Sequence, residues 1–281
     1  MNKDVTIIFV TFHAEQKLIK YLKQFKKNYK IIIIENSANY KLKNKIKKFS
    51  NAKIIINKKN TGFGSGANLG LSKVKTKYAL HLDLDTSFSN KSINRLIVKA
   101  NAIDDFAIIG PRIKKFKYID EHFIKKNMSK NINQMNFIDG CCLLFNMRQM
   151  KKIGFFDSNF FLYFEETDLM KRCVDSFKNI LMLSDIKIYH KGRSSSDSKF
   201  YTAIEENRNW HFMWSKFYFF KKHYGYSYAF IKIFRQTFSS LIKYLFFAMT
   251  SNLIKKTKYK ARFGGCVNSL FLRSSWFRLK I

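Results

Sequence analysis

One proline, Pro111, occurs in the 281 residues, so turns must be made by Gly, Asn and Ser rather than by a ring-locked φ. Cysteine is nearly as scarce. Cys141, Cys142, Cys173 and Cys266 contain no CxxC pair and no Cys/His metal spacing, which fits a reducing compartment. Acids are few: 19 Asp+Glu stand against 53 Lys+Arg, a net charge of +34. Long apolar runs are missing too. The stretch near residues 227 to 254 is broken by Lys232, Arg235 and Lys243. Its longest uncharged piece is about eleven residues, where a spanning helix needs roughly 20. Such a segment can lie on a membrane but cannot cross one. The opening "MNKDVTIIFVTFH" reaches a polar turn after a short apolar stretch with no small-residue cleavage site, so no signal peptide is expected.

What is present excludes a disordered chain. The sequence is 46% hydrophobic and 17% aromatic, with 30 Phe, enough for a full core in one large domain or one domain with an appendage. The charge creates a strong positive field. Nucleic acid, anionic lipid headgroups and phosphorylated small molecules all answer to it; a Lys-rich coding background is the alternative source of part of the excess.

The first hundred residues alternate. "VTIIFV" (5 to 10) reads as a buried strand, "AEQKLIKYLKQFKK" as an amphipathic helix and "KIIIIENS" as a second strand. "YKLKNKIKKF" is a basic helix, "AKIIIN" a third strand, "GANLGLSKV" a helix start and "YALHLDLD" a fourth strand. Strand and helix in series predict parallel pairing with helices on both faces, an α/β sheet. Further on, "SINRLIVKAN" predicts a helix, "FAIIG" a strand, "FIDGCCLLFN" a strand, and "MRQMKKIG" a short helix ending at Gly154. Between them, Arg112 to Gln134 is charged and without clear periodicity. A helix preceded by an acidic turn is expected around Thr167 to Cys173. "ILMLSDIKIYH" is a strand ending on His190, and the chain is helical, aromatic and basic from Tyr201 onward. No internal repeat is present.

In such sheets ligands bind off the carboxyl ends of the strands, and the polar residues fall there: Thr11, then Glu35 and Asn36, then Asn60 to Gly66, then Asp83 and Asp85. Any one of them alone reads more readily as a cap or turn residue, but four together favour a site, because independent caps need not be this rich in carboxylate and glycine. "NTGFGSGANLG" lacks the lysine of a P-loop and the spacing of a dinucleotide fingerprint. Its Gly62, Gly64 and Gly66 let backbone approach a ligand closely, or form a plain turn. "HLDLDTSFSN" places two carboxylates two residues apart, and in a strand such positions share a side. A hard divalent cation, Mg²⁺ or Mn²⁺, relieves their repulsion; alternatively Asp83 binds a hydroxyl and Asp85 caps the next turn. His190 can complete the ion's shell. Glu165, Glu166 and Asp168 supply a carboxylate base, or a helix N-terminus favoured by the dipole.

"VTFH", "ENS", "NTGFGSGANLG", "LDLDTSF", "FIDGCCLLFN", "GFFDSNFFLYFEETDLMKRC" and "IYH", in that order over roughly residues 5 to 225, resemble the family-2 glycosyltransferases, especially their rhamnosyltransferase-like branch. The resemblance implies a GT-A fold with a Rossmann-like, mostly parallel central sheet, a nucleotide-diphospho-sugar donor, a divalent metal and inversion at the anomeric carbon. It implies a catalytic domain over 1–225 and a basic aromatic helical tail over 226–281. Thr11 and Glu35 would line the base and ribose pocket, with Asn68 and the Gly62 to Gly66 loop beside the nucleotide. Asp83 would face the ribose and metal region, and Asp85, assisted by His190, would bind the metal. Glu166 stands where the family's "ED" motif usually has an aspartate base. Glutamate is one methylene longer, so either the backbone shifts or Glu165 takes the role. At "DLD" the branch often reads Asn-Pro-Asp. Arg208 and Lys222 would assist.

Such enzymes often build glycans on lipid carriers at the inner face of a bacterial membrane, which implies a glycan or lipid-linked acceptor and a cytoplasmic, peripheral location. The mixture of "FIKIFRQTFSSLIKYLFF" with "IKKTKYKARF" suits a basic amphipathic helix in an anionic membrane interface, or a helical cap on the catalytic domain. Two other classes compete. Basic residues interleaved with aromatics at 208–226 would suit a non-enzymatic nucleic-acid or anionic-membrane binder, against which the acidic positions stand. A sugar nucleotidyltransferase would carry a Gly-rich, Arg/Lys-bearing loop after the first strand, which "TFHAEQK" lacks.

Overall fold

A computed structural model describes residues 2–25, 27–114, 124–192, 194–197 and 200–279. By its internal contacts the chain divides into two units. The first comprises Met1–Thr61, Ser65–Phe156 and Leu169–Asp197, and the second Gly62–Gly64, Asp157–Asp168 and Ser198–Ile281.

The first unit is built on one ten-stranded sheet. Runs of Ile and Val form β1 (Val5–Thr11), β2 (Lys30–Glu35) and β3 (Ala52–Ile56), and β4 (Tyr78–Leu82) is buried along its whole length. Strands this apolar on both faces are the signature of a covered parallel sheet, and β3, β2, β1 and β4 pair parallel in that order. Odd-numbered residues of β1 and β2, among them Ile7, Phe9, Ile31 and Ile33, pack with Leu18, Leu22 and Phe25 of α1 (Glu15–Phe25). The same cluster takes in Leu42 and Ile46 of α2 (Lys41–Ile46) and Ile93, Leu96 and Ile97 of α4 (Asn90–Asn101). The even-numbered Ile8 and Ile34 meet α3 (Phe63–Leu71) on the other face.

That second contact explains two of the glycines. A Cβ on Gly66 would stand 3.0 Å from both Val10 and Asn36, and one on Gly70 would stand 2.8 Å from Ile8. One turn apart on one helical face, they let α3 lie close over β1 and β2. This close approach is of helix to sheet.

Past β4 the sheet is mixed, in the order β9 (Cys142–Asn146), β6 (Ile108–Lys114), β10 (Ile180–His190), β8 (Ile132–Met135) and β7 (Ile124–Ser129). β9 runs antiparallel to both β4 and β6, while β10 is parallel to β6. The carboxyl end of β10 therefore falls at the same edge as those of β1, β2 and β4, and so does the start of β9. β7 and β8 lie where no periodicity was expected. They form an antiparallel hairpin whose outer strand is exposed and carries Lys125 and Lys126, charges that discourage pairing at a sheet edge. The part of that charged stretch at 115–123 lies outside the described residues.

α5 (Met147–Ile153) follows β9 and ends at Gly154, as the sequence predicts. α6 (Glu165–Asp175) begins in the second unit and passes into the first.

The second unit holds α7 (Tyr201–Tyr224), α8 (Tyr226–Ala248) and α9 (Leu253–Leu270). Met213 and Phe217 of α7, Ala229 and Ile233 of α8 and Cys266 of α9 form one apolar cluster. A Cβ on Gly265 would lie 2.2 Å from the Trp210 carbonyl oxygen, so α9 rests directly on the α7 backbone. The C-terminal segment returns to α7. Trp214 donates to the Arg273 carbonyl at 2.9 Å, and His211 Nε2 lies 2.9 Å from the Phe277 carbonyl oxygen. The expected boundary at 225/226 falls between α7 and α8, inside this unit.

Candidate active site

At the carboxyl ends of the first strands, polar side chains replace apolar ones. Thr11 and Glu35, neighbours across the β1–β2 register, are each 1% exposed. The Thr11 hydroxyl donates to one Glu35 carboxylate oxygen at 2.5 Å, and the Ser37 amide and hydroxyl donate to the other, the amide at 2.5 Å. Asn36 is likewise buried; its Oδ1 accepts from Asn57 at 2.7 Å and from Thr61 at 3.2 Å. These groups tie β1, β2 and the segment after β3 together, each buried oxygen matched to a donor. Asn68 on α3 gives its amide to the main chain: Nδ2 donates to the Phe156 carbonyl at 2.8 Å, and Oδ1 accepts from the Phe156 amide at 3.0 Å.

β4 ends at Leu82, so Asp83 and Asp85 lie in the turn that follows, not in the strand itself. The turn is closed by the Thr86 amide and hydroxyl, which donate to the Asp83 carbonyl at 3.2 and 2.8 Å. The two carboxylates converge through this turn, not through the pleat that the spacing suggests. β5 (Thr86–Ser87) pairs antiparallel with the end of β10, setting Thr86 opposite His190. His190 Nε2 accordingly lies 3.2 Å from Asp85 Oδ1 and 3.9 Å from Asp83 Oδ2. One ligand atom from each of Asp83, Asp85 and His190 falls within 4.8 Å of the others.

The electrostatics follow from the packing. The Asp85 side chain is 3% exposed. Burial alone pushes its pKa up, but the His190 ring, the Ser194 amide donating at 3.0 Å and the charge of Lys17 outweigh it and hold the carboxyl below its ordinary value. Burial pushes the His190 imidazole down, but Asp85, Asp139 and Asp83 outweigh that and raise it. Asp139 is a residue that sequence reasoning missed. It precedes the antiparallel β9 and reaches the same edge, its Oδ1 3.6 Å from His190 Nδ1. The separation is an ion-pair distance beyond hydrogen-bond reach, and only the direction of β9 reveals that the two residues meet. His81 was missed as well: buried on β4, it places Nε2 3.1 Å from Asp83 Oδ1.

Asp83 and Asp85 fit a hard divalent cation, which prefers carboxylate oxygens, and the His190 imidazole adds a borderline nitrogen donor to the same grouping. A second grouping, Asp139, Cys141 and His190, is also within 4.8 Å, but its thiol is a soft ligand. Burial pushes that thiol well above its ordinary pKa, and Asp139 and Asp83 add to the shift.

The remaining expected residues belong to the second unit. Glu165 and Glu166 open α6, Glu165 buried and Glu166 half-buried. Just before them Tyr163 and Phe164 both take φ +67, a left-handed pair that costs of order 1–3 kcal/mol per residue. Aromatic packing holds the turn: Tyr163 and Phe164 both lie against Phe212, and Ser215 donates to the Leu162 carbonyl at 2.9 Å. Asp168, fully buried, accepts from Lys222 Nζ at 2.7 Å and pairs with His223 Nε2 at 2.8 Å. Lys222 also meets Asp157 at 2.7 Å, so Lys222 sits between two carboxylates and anchors α7 to the acidic turn. Arg208 pairs with Glu205 at 2.9 Å. Gly64 is buried in the first turn of α3.

Gly62, at φ +87, has no room for a side chain, since a Cβ would stand 2.4 Å from the Phe161 carbonyl oxygen. That same oxygen accepts from the Phe63 amide at 2.9 Å. Gly62→Ala should therefore lower unfolding stability by at least about 1–3 kcal/mol, read as a fall in the urea midpoint. An unchanged midpoint would remove this contact from the account.

A profile described as glycosyl transferase family 2 matches residues 6–168. The dTDP-rhamnosyl transferase RfbF of Shigella flexneri is 23% identical over 209 residues, covering 68% of this chain and 70% of its own. The low-salt glycan biosynthesis hexosyltransferase Agl10 of Haloferax volcanii is 20% identical over 192 residues, covering 61% and 62%. Among solved structures, the mannosyltransferase PcManGT from Pyrobaculum calidifontis, in complex with GDP-Man and Mn²⁺, superposes with a TM-score of 0.57 at 9% identity, covering 98% of this chain and 89% of that one. S. aureus TarS 1-349 in complex with UDP gives a TM-score of 0.55 at 10% identity, covering 99% and 94%. At such identities these likenesses show the fold, a GT-A fold followed by a helical C-terminal region. Because the profile runs from β1 into the acidic start of α6, over more than half of the chain, the protein belongs to glycosyl transferase family 2.

Proposed function

We propose that the protein transfers a sugar, rhamnose or a related hexose, from a nucleotide-diphospho-sugar donor to a hydroxyl of a glycan or lipid-linked acceptor, with inversion at the anomeric carbon. The observation that carries this reading is the convergence of Asp83, Asp85 and His190 at the carboxyl edge of the sheet, where α/β folds bind ligands. The rhamnosyl and hexosyl transfer named for the two relatives supports the donor class. A place in bacterial surface polysaccharide synthesis, at the cytoplasmic face of the membrane, goes with it.

Asp85, with Asp83 and His190, would hold a divalent cation, Mg²⁺ or Mn²⁺, which when bound supplies charge neutralisation at the leaving diphosphate. Asp139 adds negative charge beside the His190 ring. The buried Thr11–Glu35–Ser37 network and Asn36 shape the strand ends against which the nucleoside rests, and the Gly62 to Gly66 loop is a further candidate for contact with the nucleotide. Glu166 accepts the proton of the acceptor hydroxyl as its oxygen bonds to the anomeric carbon. The bond to the diphosphate breaks on the opposite face, and its electron pair leaves with the nucleotide. Glu165, one residue earlier, is the competing base. Base assistance of this kind is worth roughly 10²- to 10⁴-fold. Asp168 and Lys222 tie α6 to α7, and Arg208, paired with Glu205 within α7, is a further candidate to assist.

The test is a panel of dTDP-, GDP- and UDP-sugars incubated with Mn²⁺ or Mg²⁺, with release of nucleoside diphosphate as the readout. Turnover with one donor, lost in excess EDTA and restored by added metal, is the expected result. No release from any donor, or release indifferent to EDTA, would overturn the assignment.

A further inference from the structure

We propose that the outward face of α8 is a docking surface for an anionic lipid bilayer, on which the protein lies without crossing. The inference deepens the reading of a lipid-linked acceptor and rests on it for its biological use, but its evidence is the helix itself.

α8 packs on its neighbours through one face only. Ala229, Ile233 and Ser240 are buried, and Ala229 and Ile233 join the cluster shared with α7 and α9. The opposite face is apolar. Ile231, Phe234, Phe238, Ile242, Leu245 and Met249 follow one another at steps of three and four residues, so they line one stripe of the helix. None of them is buried: their exposures run from 51% for Ile242 to 87% for Met249. Leu253 and Ile254, at 70% and 74%, continue the apolar surface at the start of α9. Single exposed apolar residues need no explanation, but a contiguous stripe several turns long marks a surface that something covers.

Charge decides between occupants. No Asp or Glu follows Glu206, whereas fifteen Lys and Arg do. Lys232, Arg235 and Lys243 of α8 and Lys255, Lys258 and Lys260 of α9 are exposed. Two of the ammonium groups lie over aromatic rings: Lys232 Nζ is 5.1 Å from the Tyr228 ring centroid and Lys255 Nζ 5.1 Å from that of Phe247. A second copy of the chain would bring the same cations against themselves with no acid from these helices to offset them. An anionic bilayer offers what this surface lacks, apolar depth for the stripe and negative headgroups for its flanks. Crossing is excluded for the described helices, none of which is long and apolar enough, and in α8 Lys232, Arg235 and Lys243 would be carried into hydrocarbon. A helix with this stripe and these flanks lies in the interface plane.

The experiment is co-sedimentation of the full chain with vesicles of phosphatidylcholine alone and of phosphatidylcholine mixed with phosphatidylglycerol, at low and high salt, alongside donor hydrolysis without vesicles. Wild type should bind the anionic vesicles, more weakly as salt rises, and bind neutral ones poorly. The triple variant Phe234→Gln, Phe238→Gln, Ile242→Gln should lose about tenfold or more in partitioning, because three apolar side chains no longer enter the interface. Its melting temperature and donor hydrolysis should match wild type, since the replaced side chains are exposed. Lys255→Glu, Lys258→Glu, Lys260→Glu should weaken binding and remove most of its salt dependence. Unchanged partitioning of the Gln variant would overturn the proposal. So would equal, salt-insensitive binding to neutral vesicles, a dimer in sedimentation equilibrium that the Gln variant dissociates while vesicles bind neither form, or retention by single-stranded DNA in place of vesicles. Hydrolysis is read separately, so a failed catalytic assignment leaves the vesicle result standing and the reverse.

Discussion

Asp85→Asn should cost turnover about 10³-fold or more while leaving the melting temperature within a few degrees of wild type. The amide keeps an oxygen that can accept from the Ser194 main-chain amide, as Oδ2 does now at 3.0 Å, so the turn after β4 retains its lock. What disappears is the negative charge facing His190 at 3.2 Å, and with it the proposed hold on a divalent cation. The Lewis-acid contribution in such sites amounts to several kcal/mol, and each 1.4 kcal/mol is a factor of ten. His190→Ala should be milder, since water can replace a neutral ligand. Turnover numbers at saturating Mn²⁺, together with Mn²⁺ binding by calorimetry, check both. An Asp85→Asn enzyme of normal rate, or a wild type indifferent to EDTA, would end the metal assignment.

Glu166→Gln should lower turnover about 10²- to 10⁴-fold with little change in donor affinity, because the lost interaction belongs to the acceptor proton in the transition state. Glu166 is half-buried at the first turn of α6, whereas Glu165 beside it is 5% exposed, and the two substitutions separate their roles. Glu165→Gln should act mainly on stability, through a buried carboxylate in a turn already held at two left-handed residues. The check is kcat and donor Kd for both variants, with urea midpoints. A larger loss of kcat in Glu165→Gln would move the base by one residue.

The elements were legible because local pattern carried them. The Ile- and Val-rich runs of β1 to β3 and the 11-residue β10 occupy the expected places, since strands buried on both faces must be apolar throughout. The hairpin of β7 and β8 was not legible. β7 is exposed and polar while β8 is half-buried, and the hairpin exists because β10 offers β8 a partner edge. A small residue shows that something comes close without showing what: Gly66 and Gly70 give α3 room against the sheet, and Gly62 gives room to the Phe161 carbonyl. Asp139 escaped notice for a similar reason: nothing local to "FIDG" tells that the strand after it runs backwards beside β4.

By itself the sequence determined the alternation of strand and helix, the parallel pairing of the first four strands, the polar residues at their carboxyl ends and the basic, acid-free character of everything after Glu206. All of these depend on neighbours within a few residues, where side-chain period and charge act directly. Only the tertiary structure decided that β5 pairs with the end of β10 and so sets His190 against Asp85 and Asp83, that Asp139 stands behind the ring, and that Lys222 lies between Asp157 and Asp168. It also decided which side of α8 is packed and which side is left to the surroundings. Those outcomes depend on contacts between segments far apart in the chain, whose closing entropy is offset only by the whole sheet or helix cluster forming together. No short window of residues records them.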